Sequence, residues 1–254
     1  MTSQLFSSLI AGIFVSAAAG YLGSLMVSKR MALVGDALGH VALPGMGLAL
    51  LLGFDVSLGA FVFLLLGIIL IWLLEGKTGL PSEALVGIVF VASLALGFLI
   101  VPEPELLDAL FGDITKVSAP MALIAAAASI ALFCLVQALY PRFILVNISS
   151  DLAESEGVRA KYLNLVYLLS IAVLVALGVK IVGSLLIGAL VIVPAVAARN
   201  VSKNLKEYVW ASIFFGIASG FIGIMIASAL ELPTGPMIVL CSTGFFLISL
   251  LSRK

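Results

Sequence analysis

One carboxylate and one imidazole stand four residues apart, Asp36 and His40, inside a long apolar run. Asp36 is the only acid that falls within a membrane-length apolar segment, and His40 is the only histidine of the chain. An ionised carboxylate in hydrocarbon is costly, so an intramembrane Asp marks a pathway or a partner by default. The i, i+4 spacing places both side chains on one helix face, their Cβ atoms about 6 Å apart. That geometry suits a direct Asp–His hydrogen bond or a shared cation. Leu43-Pro44-Gly45 interrupts the same run. Pro44 cannot donate to the His40 carbonyl four residues back, and a broken helix at membrane depth is tolerated where it lines a cavity. Gly35, Gly39, Gly45 and Gly47 strip bulk from the surroundings. A cavity with one carboxylate, one imidazole and a freed carbonyl suits a divalent cation. Two other uses stay open: a pair that satisfies itself and locks helix packing, and a proton relay in a gradient-driven carrier.

The elements that must position this pair follow from composition. Of 254 residues, 63% are hydrophobic and only 10% are charged. A soluble domain is nearer half apolar and a quarter charged. The chain therefore reads as an all-α, polytopic membrane protein, embedded in the lipid bilayer. Thirteen Lys and Arg balance thirteen Asp and Glu, so no basic field points to nucleic acid. A span needs about 20 apolar residues, and nine segments qualify: 6–28, 32–53, 56–74, 84–101, 119–139, 163–179, 181–198, 208–230 and 236–251. The sixth and seventh nearly fuse around Gly178-Val179-Lys180, so eight spans is the alternative count. The first segment reads as a spanning helix rather than a cleaved signal, because Lys29-Arg30 follows it instead of a small-residue site. The whole of 1–254 reads as one transmembrane domain. No stretch remains for a nucleotide-hydrolysing domain, so any energy source other than an ion gradient lies on another chain. Gly76-Lys77-Thr78 lacks the glycine that a phosphate-binding loop needs five residues earlier. Cys134 and Cys241 sit in apolar runs and read as small fillers. No catalytic set and no resident cofactor site emerges.

Orientation follows the basic residues. With Lys29 and Arg30 inside, alternation also puts Lys77, Arg142, Arg159, Lys161, Arg199, Lys203, Lys206, Arg253 and Lys254 in the cytoplasm, leaving Lys116 and Lys180 outside. The N-terminus is then outside and the C-terminus inside. The outer loop 102–118 is acidic, with Glu103, Glu105, Asp108 and Asp113. The cytoplasmic stretch of about 140–162 carries a short helix expected to be capped by Ser150, with Asp151 and Glu154 in its first turns, then Glu156 and the stop Gly157. Pro194 is expected to break the seventh segment and free the Leu190 carbonyl, as a hinge or a cavity wall. Gly35/Gly39 and Gly216/Gly220 have the four-residue spacing of close helix approach, within the chain or across a dimer.

The run Val34-Gly35-Asp36-Ala37-Leu38-Gly39-His40-Val41-Ala42-Leu43-Pro44-Gly45 resembles the signature of permease subunits of ABC transporters for zinc, manganese or iron. In order along the chain, 82–88, Leu110-Phe111-Gly112-Asp113-Ile114, 151–158 and 182–195 resemble further stretches of that family. The resemblance implies a homodimer of this chain forming the path, two cytosolic ATP-binding subunits and an extracytoplasmic solute-binding protein, in a prokaryotic cell membrane. It implies a transport subunit rather than an enzyme, with ATP hydrolysis on a separate chain. It implies metal contacts at Asp36 and His40, and an ATPase-facing segment holding Asp151, Glu154, Glu156 and Gly157. The cargo would be zinc first, with manganese or iron as alternatives. The serine often found just before the histidine is Gly39 here.

Overall fold

The computed structural model describes residues 2–100, 110–111, 117–184 and 186–252. The four acids of the outer loop, with Lys116, Arg253 and Lys254, lie outside them. The described residues are helical throughout: α1 Thr2–Ser28, α2 Leu33–Val41, α3 Leu43–Leu52, α4 Val56–Thr78, α5 Ser82–Ile100, α6 Ala119–Ile148, α7 Ser150–Ser155, α8 Ala160–Val182, α9 Ile187–Val201, α10 Leu205–Leu230 and α11 Thr234–Leu250. Helix is the expected solution where no water can satisfy the backbone. Among the described residues, seven apolar helical stretches are long enough to cross a bilayer, one of them the joined run Val34–Leu52. α9 and α11, with 15 and 17 residues, are apolar but shorter.

Two layers sort by enclosure. α1, the α2–α3 run and α8 are largely buried, whereas α4, α5, α6 and α10 turn most of their surface outward. Their outward residues, such as Leu66, Ile88, Ile130 and Phe214, are large and apolar, as a lipid-facing surface requires. α1 packs along α10, α6 and α9; α2 packs between α5 and α9; α4 lies against α3 and α8. The Gly216/Gly220 pair is spent inside the chain, since a Cβ at either position would collide with Ser16 of α1. Gly45 does the same between α3 and α4, meeting the backbone of Gly59.

Three boundaries differ from expectation. α6 runs through Pro141 to Ile148, so the stretch expected to be a loop from about 140 begins as continuing helix; Phe143, just past the proline, is buried and packs 5.8 Å from the Tyr167 ring. The break between the sixth and seventh segments falls after Val182, at Gly183 with φ 89°, because Gly178-Val179-Lys180 continues α8. α9 is one helix through Pro194; the proline removes a ladder bond without ending the helix, and it is buried in a helix that packs against α1, α10 and α11.

The α1–α2 link is tied to two other helices by Lys29. Its ammonium lies 4.2 Å from the Tyr167 ring centroid and 5.7 Å from that of Phe143. Glu75, at the end of α4, accepts from Ser82 Oγ at 2.7 Å and from Asn164 Nδ2 at 3.4 Å. Asn164 also donates to Ser82 Oγ at 2.9 Å, joining α8 to α5. Burial pushes the Lys29 ammonium down from its ordinary 10.5 to about 8, against the opposing pull of the Glu75 carboxylate. Between those two values the unfolded chain binds more protons than the folded one, so stability rises with pH across that window. Thermal unfolding of the purified protein should therefore show a midpoint that climbs from pH 8 to pH 10.5, and Lys29→Met should remove that climb. An unchanged slope in Lys29→Met would assign the effect to other groups.

Candidate functional site

Asp36 and His40 lie one turn apart on α2, the helix that together with α3 forms the most enclosed apolar run of the chain. His40 is buried, with 7% of its surface exposed, and Asp36 is half-buried. The two side chains do not bond one another as a hydrogen-bonded pair would. Instead His40 Nδ1 stands 3.0 Å from the Asp36 main-chain carbonyl. A carbonyl oxygen only accepts, so Nδ1 carries the proton and donates. That fixes the tautomer and leaves the Nε2 lone pair free to act as a ligand. The imidazole is further held edge-on against Phe90 of α5, ring centroids 5.2 Å apart.

The chain passes from α2 to α3 at Ala42, whose φ of −70° and ψ of −27° stay helical. Pro44 sits in the first turn of α3, where a missing N–H costs least. The backbone thus stays helical at the residue that joins α2 to α3, and Gly45 serves the close contact with α4.

The opposite wall comes from a part of the chain that no local pattern connects to Asp36. A Cβ at Gly188 of α9 would stand 2.5 Å from the Asp36 Cα and 2.7 Å from its Oδ1. A Cβ at Gly39 would stand 2.5 Å from the Ser184 carbonyl oxygen. Gly35 meets Met26 and Val191. The three contacts run antiparallel, so α2 and the Ser184–Val191 stretch lie backbone against backbone around the acid. Ser184 itself is fully buried, and its hydroxyl finds no hydrogen-bond partner among the described residues. A buried hydroxyl left in that state costs about 1–3 kcal/mol. Sequence reading missed both Gly188 and Ser184; a glycine and a serine in an apolar stretch carry no signal of their own. Among the described residues, no three His, Cys, Asp or Glu side chains gather as a metal cage. One chain thus brings one carboxylate and one imidazole to this place.

The other expected residues lie on α7 or just after it, between α6 and α8. α7 is capped by Ser149 rather than Ser150: the Ser149 Oγ accepts from the Leu152 N–H at 3.2 Å. Ser149 is the residue with extended backbone, φ −157° and ψ 123°, which a cap requires. The stop at Gly157 forms as expected. Its φ is 76°, its N–H donates to Glu154 at 3.0 Å, and the Val158 N–H donates to Ala153 at 2.8 Å. Those two bonds close a Schellman motif. Ala153 is buried beneath the helix, while Asp151, Leu152, Glu154, Glu156 and Gly157 are exposed. The structure therefore keeps these four expected residues together on a small acidic knob, remote in sequence from Asp36, His40 and Pro194.

Residues 1–253 match the ABC 3 transport family. The chain is 30% identical over 247 residues to the manganese import system permease protein ScaB of Streptococcus parasanguinis, which covers 96% of this chain and 88% of that protein. It is 30% identical over 261 residues to the high-affinity zinc uptake system membrane protein ZnuB of Haemophilus influenzae, covering 100% of this chain and 99% of that protein. Among solved structures, PsaBC from Streptococcus pneumoniae in complex with Fab matches with a TM-score of 0.84 at 30% identity, covering 97% of this chain and 90% of that one.

Proposed function

The chain belongs to the ABC 3 transport family as a multi-pass permease subunit, and from that premise we propose that it carries a divalent transition-metal cation, zinc or manganese, inward past Asp36 and His40. One observation carries the assignment: His40 commits Nδ1 to the carbonyl of Asp36 one turn earlier, so an imidazole with its Nε2 uncommitted and a carboxylate share one stretch of the most buried span, Val34–Leu52. Membership of an ATP-driven family displaces a gradient-driven carrier. A second copy of the chain, meeting the first about a two-fold axis, would supply a second carboxylate and imidazole, enough for four-coordinate zinc. An incomplete set in each chain also suits transport, because cargo must be released. Each protomer acts as a single permease unit over 1–254, fed by a solute-binding protein outside and driven by two cytosolic ATPases.

We read α9 and α11 as membrane-embedded as well, which gives nine crossings with Pro44 interrupting the second. At 1.5 Å per residue their 15 and 17 residues fall only a little short of the hydrocarbon thickness. The N-terminus is then outside and the C-terminus inside, in a prokaryotic cell membrane. Contacts agree with that sidedness: Asn147 of α6 donates to Ser28, and Asn200 of α9 donates to Ser249, each pair at ends assigned to the cytoplasm. With Cys134 and Cys241 replaced by Ala, Ser252→Cys should resist an impermeant thiol reagent in intact cells and react after lysis. Labelling before lysis would reverse the orientation.

The exposed acidic knob of α7 is the surface on which the ATPase docks, with Asp151, Glu154, Glu156 and Gly157 forming it. Gly157→Pro removes the N–H that closes the helix and imposes a φ near −65° where the chain needs 76°. The assembled transporter carrying Gly157→Pro should hydrolyse ATP while moving much less metal per ATP. Wild-type coupling in that variant would reduce the segment to a linker.

The cargo assignment is tested by Asp36→Asn and His40→Gln in the complete transporter. Each keeps size and hydrogen bonding and weakens metal ligation, so uptake should fall by at least about tenfold while assembly and basal ATP hydrolysis persist. Normal uptake by both variants would place the path elsewhere.

A further inference from the structure

The buried serine across from Gly39 is the polar group that the reading above leaves unused. Several buried serines elsewhere in the fold spend their hydroxyls on the backbone. Ser24, Ser170 and Ser219 donate to carbonyls three or four residues back in their own helices, and Ser212 donates across to Gly20 of α1. Ser184 lies outside regular helix, in the turn that follows Gly183, so no helical carbonyl of its own stands in reach. It has 0% exposure and no partner among the described residues.

Its position is what gives that observation meaning. The Ser184 carbonyl presses on Gly39, the residue before His40, and Gly188, four residues on, presses on Asp36. The serine thus belongs to the wall that faces the stretch bearing the carboxylate and the imidazole. Trp72, Ser129, Tyr167 and Ser242 also bury an unpartnered polar atom, but none of them is among the nearest neighbours of Gly39 or Gly188. A buried hydroxyl with no protein partner gains the fold nothing in stability. A cation arriving between these walls supplies the missing partner.

We propose that Ser184 contacts the transported cation, its hydroxyl oxygen adding a neutral, hard ligand to the Asp36 carboxylate and the His40 imidazole. The proposal rests on the transport reading above. An oxygen donor beside a carboxylate favours manganese relative to zinc, and a sulfur at the same place favours the softer ions. Ser184 therefore sets selectivity as well as affinity.

The test uses the complete transporter with Ser184→Ala, Ser184→Cys and, in parallel, Asp36→Asn, measuring initial uptake of manganese and of zinc over a range of concentrations, with thermal midpoints of the same preparations. Removing an unpaired buried hydroxyl should leave the midpoint of Ser184→Ala unchanged or raised. Its KM for manganese should nonetheless rise by about tenfold, the size typical of a lost metal-site interaction. Ser184→Cys should move the zinc-to-manganese preference toward zinc by a similar factor. A purely structural serine would shift the midpoint and leave KM and preference alone, which overturns the proposal. If Asp36→Asn stops uptake while both serine variants transport as wild type, only the serine assignment falls. If Asp36→Asn also transports normally, the transport reading falls with it.

Discussion

The site depends on how closely two stretches of backbone can approach. Asp36 faces the Gly188 backbone, and Gly39 faces the Ser184 carbonyl. In hydrocarbon, no hydrophobic force draws one apolar helix to another; packing and hydrogen bonding do that work. Glycines are what permit α2 and α9 to touch. α9 in turn is fixed by α1, α10 and α11, and its Leu190, Val191, Ala195, Ala197 and Ala198 are fully buried. A nine-residue helix bearing both candidate ligands is thus located by the bundle behind it rather than by its own length. That matters because a short helix has little stability of its own.

Part of this was legible from residues alone. The Asp36–His40 spacing, the apolar runs and the stop at Gly157 each rest on a local rule, and the structure carries them: one helix face, a helical bundle, a left-handed glycine. What escaped the sequence is what local rules do not weigh. Ser149 and Ser150 are equally good caps by type, and only the extended backbone at Ser149 distinguishes them. Pro141 looks like an end, yet burial of Phe143 against Tyr167 holds the helix together beyond it. Pro194 looks like a break, yet neighbours on three helices keep α9 continuous. The wall at Ser184 and Gly188 is a tertiary fact, produced by an antiparallel pairing of distant segments.

The structure also separates two kinds of polar cluster. At two helix ends, acids are well partnered. Glu75 accepts from Ser82 and Asn164. Glu207 accepts from the Lys203 N–H at 2.9 Å and Asn204 Nδ2 at 2.7 Å, while Asn204 Oδ1 caps the Glu207 N–H. Such groups have no unmet need, and they hold helix ends together.

Around Asp36 the arrangement is the reverse. The imidazole commits one nitrogen to the Asp36 carbonyl and leaves the other open, and the serine opposite commits no hydroxyl at all. A purely structural cluster would close these gaps, because each open group costs stability. A site that had closed them would have nothing to offer a passing ion. A site that completed a full cage within one chain would hold the ion too long. One carboxylate, one imidazole and one unpaired hydroxyl, set between glycine-thinned helices, sit between those limits, and the incompleteness that weakens the fold at this point is the property that transport requires.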